Sequence, residues 1–315
     1  MTTLKMGKAL RVTFGETVAE LANTDPRIVM LDGDVGSSTK ADIFEEAHRD
    51  KFFQMGIAEQ NMLGVAAGMA SVGLIPFVST FACFAVARPL DTIRVLIAQP
   101  NLPVKITGGY AGLLAGMTGK THLMFDDVSI MRAMPNMTVL CPADDIETAQ
   151  GIRALVEDDG PAYLRLTREA SPRLFGEDHR FDLRKAVVVR EGSDVTLISS
   201  GPQSVRVLEA ADLLAAKGID AHVLHVPTIK PIDKASIVAA AEKTGFVITI
   251  EEHTTIGGLG GAVAEVLAEN APTPMRFHGI LDTYGESGPD AALLEKYRLS
   301  SGQVAAVIEE HLGNR

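Results

Sequence analysis

From Gln60 to Ala87 the chain carries no Asp, Glu, Lys or Arg, and one carboxylate, Glu59, stands at the mouth of that run. Residues 62–72 (Met-Leu-Gly-Val-Ala-Ala-Gly-Met-Ala-Ser-Val) are apolar or small on every helical face, which predicts a helix buried all round, begun by Glu59. A carboxyl group so placed either finds a partner or shares a proton, the chemistry of a general acid. The alternative is that Glu59 only complements the positive end of the helix.

The uncharged stretch does not read as a membrane span. Gly73, Pro76, Ser79 and Thr80 break it, and the strand-like Ile75-Pro-Phe-Val-Ser follows the helical pattern. With 315 residues, 46% hydrophobic content and 29 glycines, the chain suits a two-domain α/β protein with a sizeable core. A net charge of −11 without a basic cluster argues against nucleic acid or an anionic membrane as partner. The first eight residues lack an apolar signal core, and Cys83 and Cys141 lie in apolar segments without metal spacing. Both are expected to be reduced core thiols of a cytoplasmic protein.

Residues 8–23 repeat apolar positions at helical spacing, and Arg27–Asp32 reads as a buried parallel strand that ends in Asp32-Gly33-Asp34. Ligand crevices of doubly wound sheets open at such strand ends. Asp34 either lines such a cleft or forms an Asx turn. After the strand at 75–79, Thr80-Phe81-Ala-Cys-Phe84 is expected on a strand-to-helix loop, its two aromatic rings serving either the core or a planar ligand. The helix expected over 82–98 carries Arg88, Asp91 and Arg94 as a surface ion-pair ladder or an interface. A strand at 103–107 feeds a segment with five glycines in twelve residues (108–119), an ordered loop shaped around a ligand or partner, which leads to His122. A helix over 125–134, a strand at 137–141, a helix capped by Asp144 and a strand at 161–168 complete a first domain over 1–170. A linker follows at 171–184. Over 185–315, strands at 186–190, 194–199, 220–226, 246–251 and 276–281 alternate with helices at 203–217, 233–243 and 258–269, a smaller α/β domain. Gly257–Gly261 opens a helix in the manner of a phosphate-binding turn.

Gly56-Ile57-Ala-Glu59-Gln60-Asn61, Pro76-Phe-Val-Ser-Thr80-Phe81, Arg88-Pro-Leu-Asp91-Thr-Ile-Arg94, Gly119-Lys-Thr121-His122 and Met134-Pro135-Asn136 through Asp144 resemble, in order, the pyrimidine-binding half of the transketolase family. The likeness continues to the C-terminus. It implies that Glu59 hydrogen-bonds the pyrimidine N1′ of thiamine diphosphate, and that Phe81 and Phe84, with Asp34 and Ile57, contact the cofactor. It further implies that His122 faces substrate oxygens, Arg168 binds the substrate's terminal phosphate, and Gly257–Gly261 is a packing turn with His253 at the surface or an interface. A charged strand end at the surface is the other reading of Arg168. Gly33-Asp34 with Asn61 imitates the family's metal signature, but Val35 replaces its last glycine, so no metal ligand is assigned here.

The sequence departs from common transketolases where it would read the sugar. Thr118 replaces an aspartate four residues before His122, Lys120 replaces a proline, and Tyr110 stands for a phosphate-side histidine. The resemblance implies half an enzyme, because the magnesium and diphosphate domain should precede Glu59 and too little chain does so. It implies the C-terminal subunit of a split transketolase, with Mg2+ ligands on an N-terminal partner subunit and a homodimeric core in an α2β2 assembly. The alternatives are the β subunit of a 2-oxo acid dehydrogenase, a deoxyxylulose-phosphate-synthase-like enzyme, or a non-catalytic α/β scaffold.

Overall fold

The computed structural model describes residues 4–313, so Met1–Thr3 of the segment read as lacking a signal core lie outside the described residues. In chain order the strands are β1 (Met6–Ala9), β2 (Ile28–Asp32), β3 (Phe52–Gln54), β4 (Ile75–Phe81), β5 (Lys105–Gly109), β6 (Thr138–Leu140), β7 (Ala162–Arg165), β8 (Ala170–Pro172), β9 (Val187–Arg190), β10 (Val195–Ser199), β11 (Ala221–His225), β12 (Thr228–Lys230), β13 (Val247–Thr254) and β14 (Met275–Ile280). They form a seven-stranded sheet in the order β12-β6-β7-β5-β4-β2-β3, a five-stranded sheet β14-β13-β10-β11-β9, and the small antiparallel pair β1-β8. In the larger sheet every pairing is parallel except that of β12, and in the smaller every pairing except that of β9.

β2 is buried at all five positions, as a strand covered on both faces must be. Its residues alternate between two cores. Ile28 and Met30 face the helices Leu10–Ala22 and Asp145–Glu157, in a cluster with Phe14, Phe77 and Ile152. Val29 and Leu31 face Met62, Leu63 and Ala66 of the helix Glu59–Ser71. That second cluster runs without a break into Ile198, Leu224 and Val263, so the two sheets share one hydrophobic core. β12 tightens the union, because it belongs to the C-terminal half of the chain yet pairs with β6 at the edge of the first sheet.

Three expectations need correction. The helix Glu59–Ser71 is not buried all round: Met62, Leu63, Ala66, Ala67 and Ala70 are buried, while Gln60, Asn61, Gly68 and Ser71 are exposed. Its amphipathic pattern is hidden in the sequence because the solvent side is small and uncharged rather than ionic. The helix over 82–98 is broken at Pro89 into Ala82–Ala87, a turn at Leu90–Thr92 and a π-helical segment Ile93–Ala98. No loop separates β4 from Ala82, since strand and helix abut at Phe81. Among the described residues no helix is long and apolar enough to cross a membrane.

Buried ionic groups weld the domains. Arg165, at the end of β7, donates through Nε to Asp127 Oδ2 at 2.8 Å and through Nη2 to the Glu252 carbonyl at 3.0 Å, and Tyr163 Oη donates to the same Asp127 oxygen at 2.7 Å. Glu147 accepts the Ala143 N–H and lies 2.9 Å from His225 Nε2, whose Nδ1 is 2.6 Å from Ser204 Oγ. His253, expected at a surface or interface, is buried. Its Nδ1–H donates to the Thr254 carbonyl at 2.7 Å, the Ser129 N–H donates to Nε2 at 3.4 Å, and Glu251 lies 3.6 Å away. The glycine turn at 257–261 is filled from within, because the Leu259 and Gly260 N–H groups at the start of the helix Leu259–Asn270 both donate to Glu251. An own carboxylate takes the place that a phosphate would.

Burial pushes Glu251 up from 4.5 to about 7 and His253 down from 6.5 to about 4. Glu251 therefore contributes stability at acid pH that is lost as pH rises through about 7, and His253 contributes stability at neutral pH that is lost as pH falls through about 4. The two oppose each other between pH 4.5 and 6.5. Glu251→Gln removes the glutamate limb, so from the acid to the neutral end of that window its thermal stability should rise more steeply than that of the wild type, by about 2–3 kcal/mol. Melting curves at stepped pH check this, and parallel profiles for the two proteins would contradict it.

Candidate active site

Five neighbouring parallel strands, β3, β2, β4, β5 and β7, each release the chain at the same edge of the large sheet, the carboxyl edge where α/β crevices form. Glu59 follows β3, Asp34 follows β2, Phe81 closes β4, Tyr110 follows β5 and Arg168 follows β7. The parallel topology thus gathers residues that are far apart in sequence.

Glu59 is the first residue of its helix and is 3% exposed, in a turn whose preceding residue offers no side-chain cap. Its partner is Arg88, which donates from Nη1 to Oε1 at 2.6 Å. Arg88 was expected beside Asp91 and Arg94. Those two do pair on the surface at 2.5 Å, but the break at Pro89 leaves Arg88 free to turn back to Glu59. The Arg88 guanidinium also lies 4.1 Å from the centroid of the Phe84 ring, a cation–π contact.

From Phe84 the contacts continue. The His122 ring meets Phe84 edge-on at 5.2 Å and Phe81 at 5.9 Å, and Phe81 stacks on Tyr110 at 4.2 Å. Tyr110 Oη accepts from Arg168 Nε at 3.3 Å and from Arg11 Nη1 at 3.4 Å. Glu59, Arg88, Phe84, His122, Phe81, Tyr110 and Arg168 therefore form one connected string. Two clefts, of about 670 and 680 Å³, flank it and share Arg88 as a wall; the first holds Glu59, Gln60, Asn61 and Leu96, the second Phe84, Thr121, Leu123 and Tyr284.

The two phenylalanines differ in role. Phe81 is 7% exposed and covered by Tyr110, while Phe84 lines the second cleft. Tyr110 reaches its place at φ +58°. Gly108, which precedes it in β5, has no room for a Cβ because the Tyr163 hydroxyl occupies that space. His122 Nδ1 is 2.9 Å from Thr121 Oγ1, which leaves Nε2 for a ligand. Arg168 also pairs with the adjacent Glu169.

The remaining expected residues stand apart from the string. Asp34 is exposed at φ +65°. The buried carboxylate of that turn is Asp32, which accepts N–H groups from Val35 and Gly36 and the Gln54 amide, and which desolvation holds above the usual carboxylate range. Ile57 is 74% exposed, and Thr118 donates its hydroxyl to the Ala115 carbonyl at 2.6 Å. Cys83 and Cys141 are free thiols that burial pushes up to about 11 and about 12, so neither is a ready nucleophile. Among the described residues no group of three or more His, Cys, Asp or Glu side chains is placed to hold a metal.

Two members of the site escape a reading of the sequence. Arg88 is the first charge after the uncharged run, and a search for the cation owed to Glu59 could have found it. Arg11 donates to the Arg168 and Ser38 carbonyls at 3.0 and 2.7 Å as well as to Tyr110. Its only signal was being the one basic residue of the helix Leu10–Ala22, whose other charges are Glu16 and Glu20.

Residues 6–173 match the transketolase pyrimidine-binding domain and residues 184–304 the transketolase C-terminal domain. The chain is 40% identical to the 6-deoxy-6-sulfo-D-fructose transketolase subunit SqwH of a Clostridium species, over 96% of this chain and 94% of that one. It is 38% identical to an apulose-4-phosphate transketolase subunit of Phocaeicola vulgatus, over 92% and 93%. A solved split gene transketolase, described as an inactive beta4 tetramer, superposes with a TM-score of 0.88 at 44% identity, over 96% of this chain and 98% of that one. The string of side chains along the sheet edge lies within the first of these two domains, and the chain belongs to the transketolase family.

Proposed function

We propose that the chain is the C-terminal subunit of a split transketolase, active only with an N-terminal partner subunit that supplies the Mg2+ and diphosphate ligands. It would act in the cytoplasm, moving a two-carbon ketol unit from a ketose phosphate to an aldehyde acceptor. The observation that carries this reading is the contiguity of a buried carboxylate, an aromatic wall and an imidazole: Glu59, Phe84 and His122, joined through Arg88.

These residues fit the aminopyrimidine end of thiamine diphosphate. Phe84 offers a ring at the second cleft, and across Arg88, at the first, Glu59 offers a carboxylate already removed from water. Thiamine diphosphate, when bound, supplies the carbanion chemistry that side chains lack. Glu59 would share a proton with the pyrimidine N1′, with Arg88 beside its Oε1 as the neighbouring cation. His122 presents Nε2 to substrate oxygens while Thr121 fixes its ring. Arg168 and Arg11, on either side of the Tyr110 hydroxyl, hold the anionic end of the donor, a task suited to guanidinium groups. Asp34 and Ile57, both exposed, would contact the cofactor as the family likeness implies. The uncharged exposed face of the Glu59 helix, with Leu96 exposed nearby, suits a contact with another subunit in an α2β2 assembly.

The purified chain should show no ketol transfer by itself and should gain it when mixed with its N-terminal partner. Turnover by the single chain would refute the split reading. In the assembled enzyme, Glu59→Ala should slow hydrogen–deuterium exchange at the cofactor's C2 by about 10²–10⁴-fold. Exchange at the wild-type rate would remove Glu59 from the chemistry.

Thr118 spends its hydroxyl proton on the Ala115 carbonyl, so it reads an acceptor's C2 hydroxyl weakly. The wild type should discriminate poorly between acceptors epimeric at C2. Thr118→Asp should shift kcat/KM toward the D-configured 2-hydroxyaldehyde by roughly 1–3 kcal/mol. An unchanged epimer ratio in that variant would show that residue 118 does not face the acceptor.

A further inference from the structure

The loop that carries Tyr110 and His122 is tied to its own domain at Ala111 and Gly112, and its middle is tied to the C-terminal domain. Leu113 N–H and Leu114 N–H both donate to Glu252 Oε1, at 2.7 and 3.3 Å. Gly116 N–H donates to Asp290 Oδ1 at 2.8 Å, and the Gly116 carbonyl accepts from the Gly288 N–H at 3.1 Å. Glu252 comes from β13, is 5% exposed, and is itself fixed by an ion pair to Arg206. Its main-chain carbonyl accepts from Arg165. Gly112 shows how closely the two domains fit: at φ +78°, a Cβ there would overlap the Glu252 carboxylate. Leu113 and Leu114, whose amides Glu252 accepts, are both buried, so water is a poor substitute for the carboxylate.

We propose that Glu252, assisted by Asp290, is a positioning residue for the reaction, and that the C-terminal domain serves the site by clamping the 110–122 loop so that His122 stays against Phe84 and Tyr110 against Phe81. This rests on the transketolase reading for its catalytic consequence, while the clamp itself is a property of the chain alone. Two backbone donors and one arginine converge on a single buried carboxylate. Removing it leaves all three without their acceptor and frees the segment between the anchored strand β5 and His122.

The test begins with amide hydrogen exchange on the full chain. In Glu252→Ala, peptides covering residues 110–118 should exchange at least tenfold faster than in the wild type, with β10 and β13 as protected as before. Glu252→Gln, which keeps an acceptor oxygen, should restore most of the protection. Gly112→Ala is a second route to a loosened clamp should Glu252→Ala fail to fold. After assembly with the N-terminal subunit, Glu252→Ala should lose at least tenfold in kcat with cofactor affinity within twofold of the wild type. Unchanged exchange in Glu252→Ala and Gly112→Ala would overturn the clamp. Faster exchange with unchanged kcat would overturn the positioning role. An inactive wild-type assembly would refute the transketolase reading and with it the catalytic consequence, while the exchange result still decides whether the clamp exists.

Discussion

A carboxylate taken out of water has to be given a cation, a set of N–H donors or a proton, and several of this chain's buried acids take that answer from a part of the molecule distant in sequence. Glu59 is answered by Arg88, Asp127 by Arg165 and Tyr163, Glu251 by the first turn of a helix, and Glu252 by a loop of the other domain together with Arg206. None of these acids could be buried in an isolated element. Their satisfaction is therefore conditional on the fold, and the fold's relative domain placement is conditional on their satisfaction.

The site gains its geometry from that arrangement. Parallel strands deliver Glu59, Phe81, Tyr110 and Arg168 to one edge, but an edge alone leaves the connecting loops loose. The break at Pro89 turns Arg88 inward, and the stack of Tyr110 on Phe81 fixes the start of the glycine-rich loop. The rest of that loop is held from the second domain, which explains why a domain that gives no residue to the string is packed so tightly against it through a common core. Glycine is needed where backbone meets side chain without a gap, as at Gly108 under Tyr163 and Gly112 under Glu252.

Much of this was legible in order along the chain. The alternation of apolar runs and glycine turns predicts most of the longer strands and helices between residues 8 and 281 to within a few residues, but not the short strands β1, β3, β8 and β12 or the helices Asp290–Lys296 and Ser301–Gly313. The spacing around Glu59, Phe81 and His122 carried the family likeness. What failed to show were features set by partners rather than by local pattern: the exposed side of the Glu59 helix, the burial of His253, the strand β12 lent to the first sheet, and the roles of Arg88 and Arg11. An uncharged exposed face looks like a buried one in sequence, and a lone histidine or arginine carries no record of what it will meet.

The sequence by itself determined the α/β class and the two-domain organisation, which follow from short-range periodicity and residue type, while Glu59, Phe81, His122 and Arg168 stood out through the resemblance to a known family. Only the tertiary structure decided which cation Glu59 would take, that Phe84 rather than Phe81 would line the cleft, and that Glu252 would hold the loop of the opposite domain. The physical reason is the same in each case. Pairing a buried charge, or covering an aromatic face, is a contact between residues separated by tens to more than a hundred positions, and its energy exists only once the sheets have brought them together.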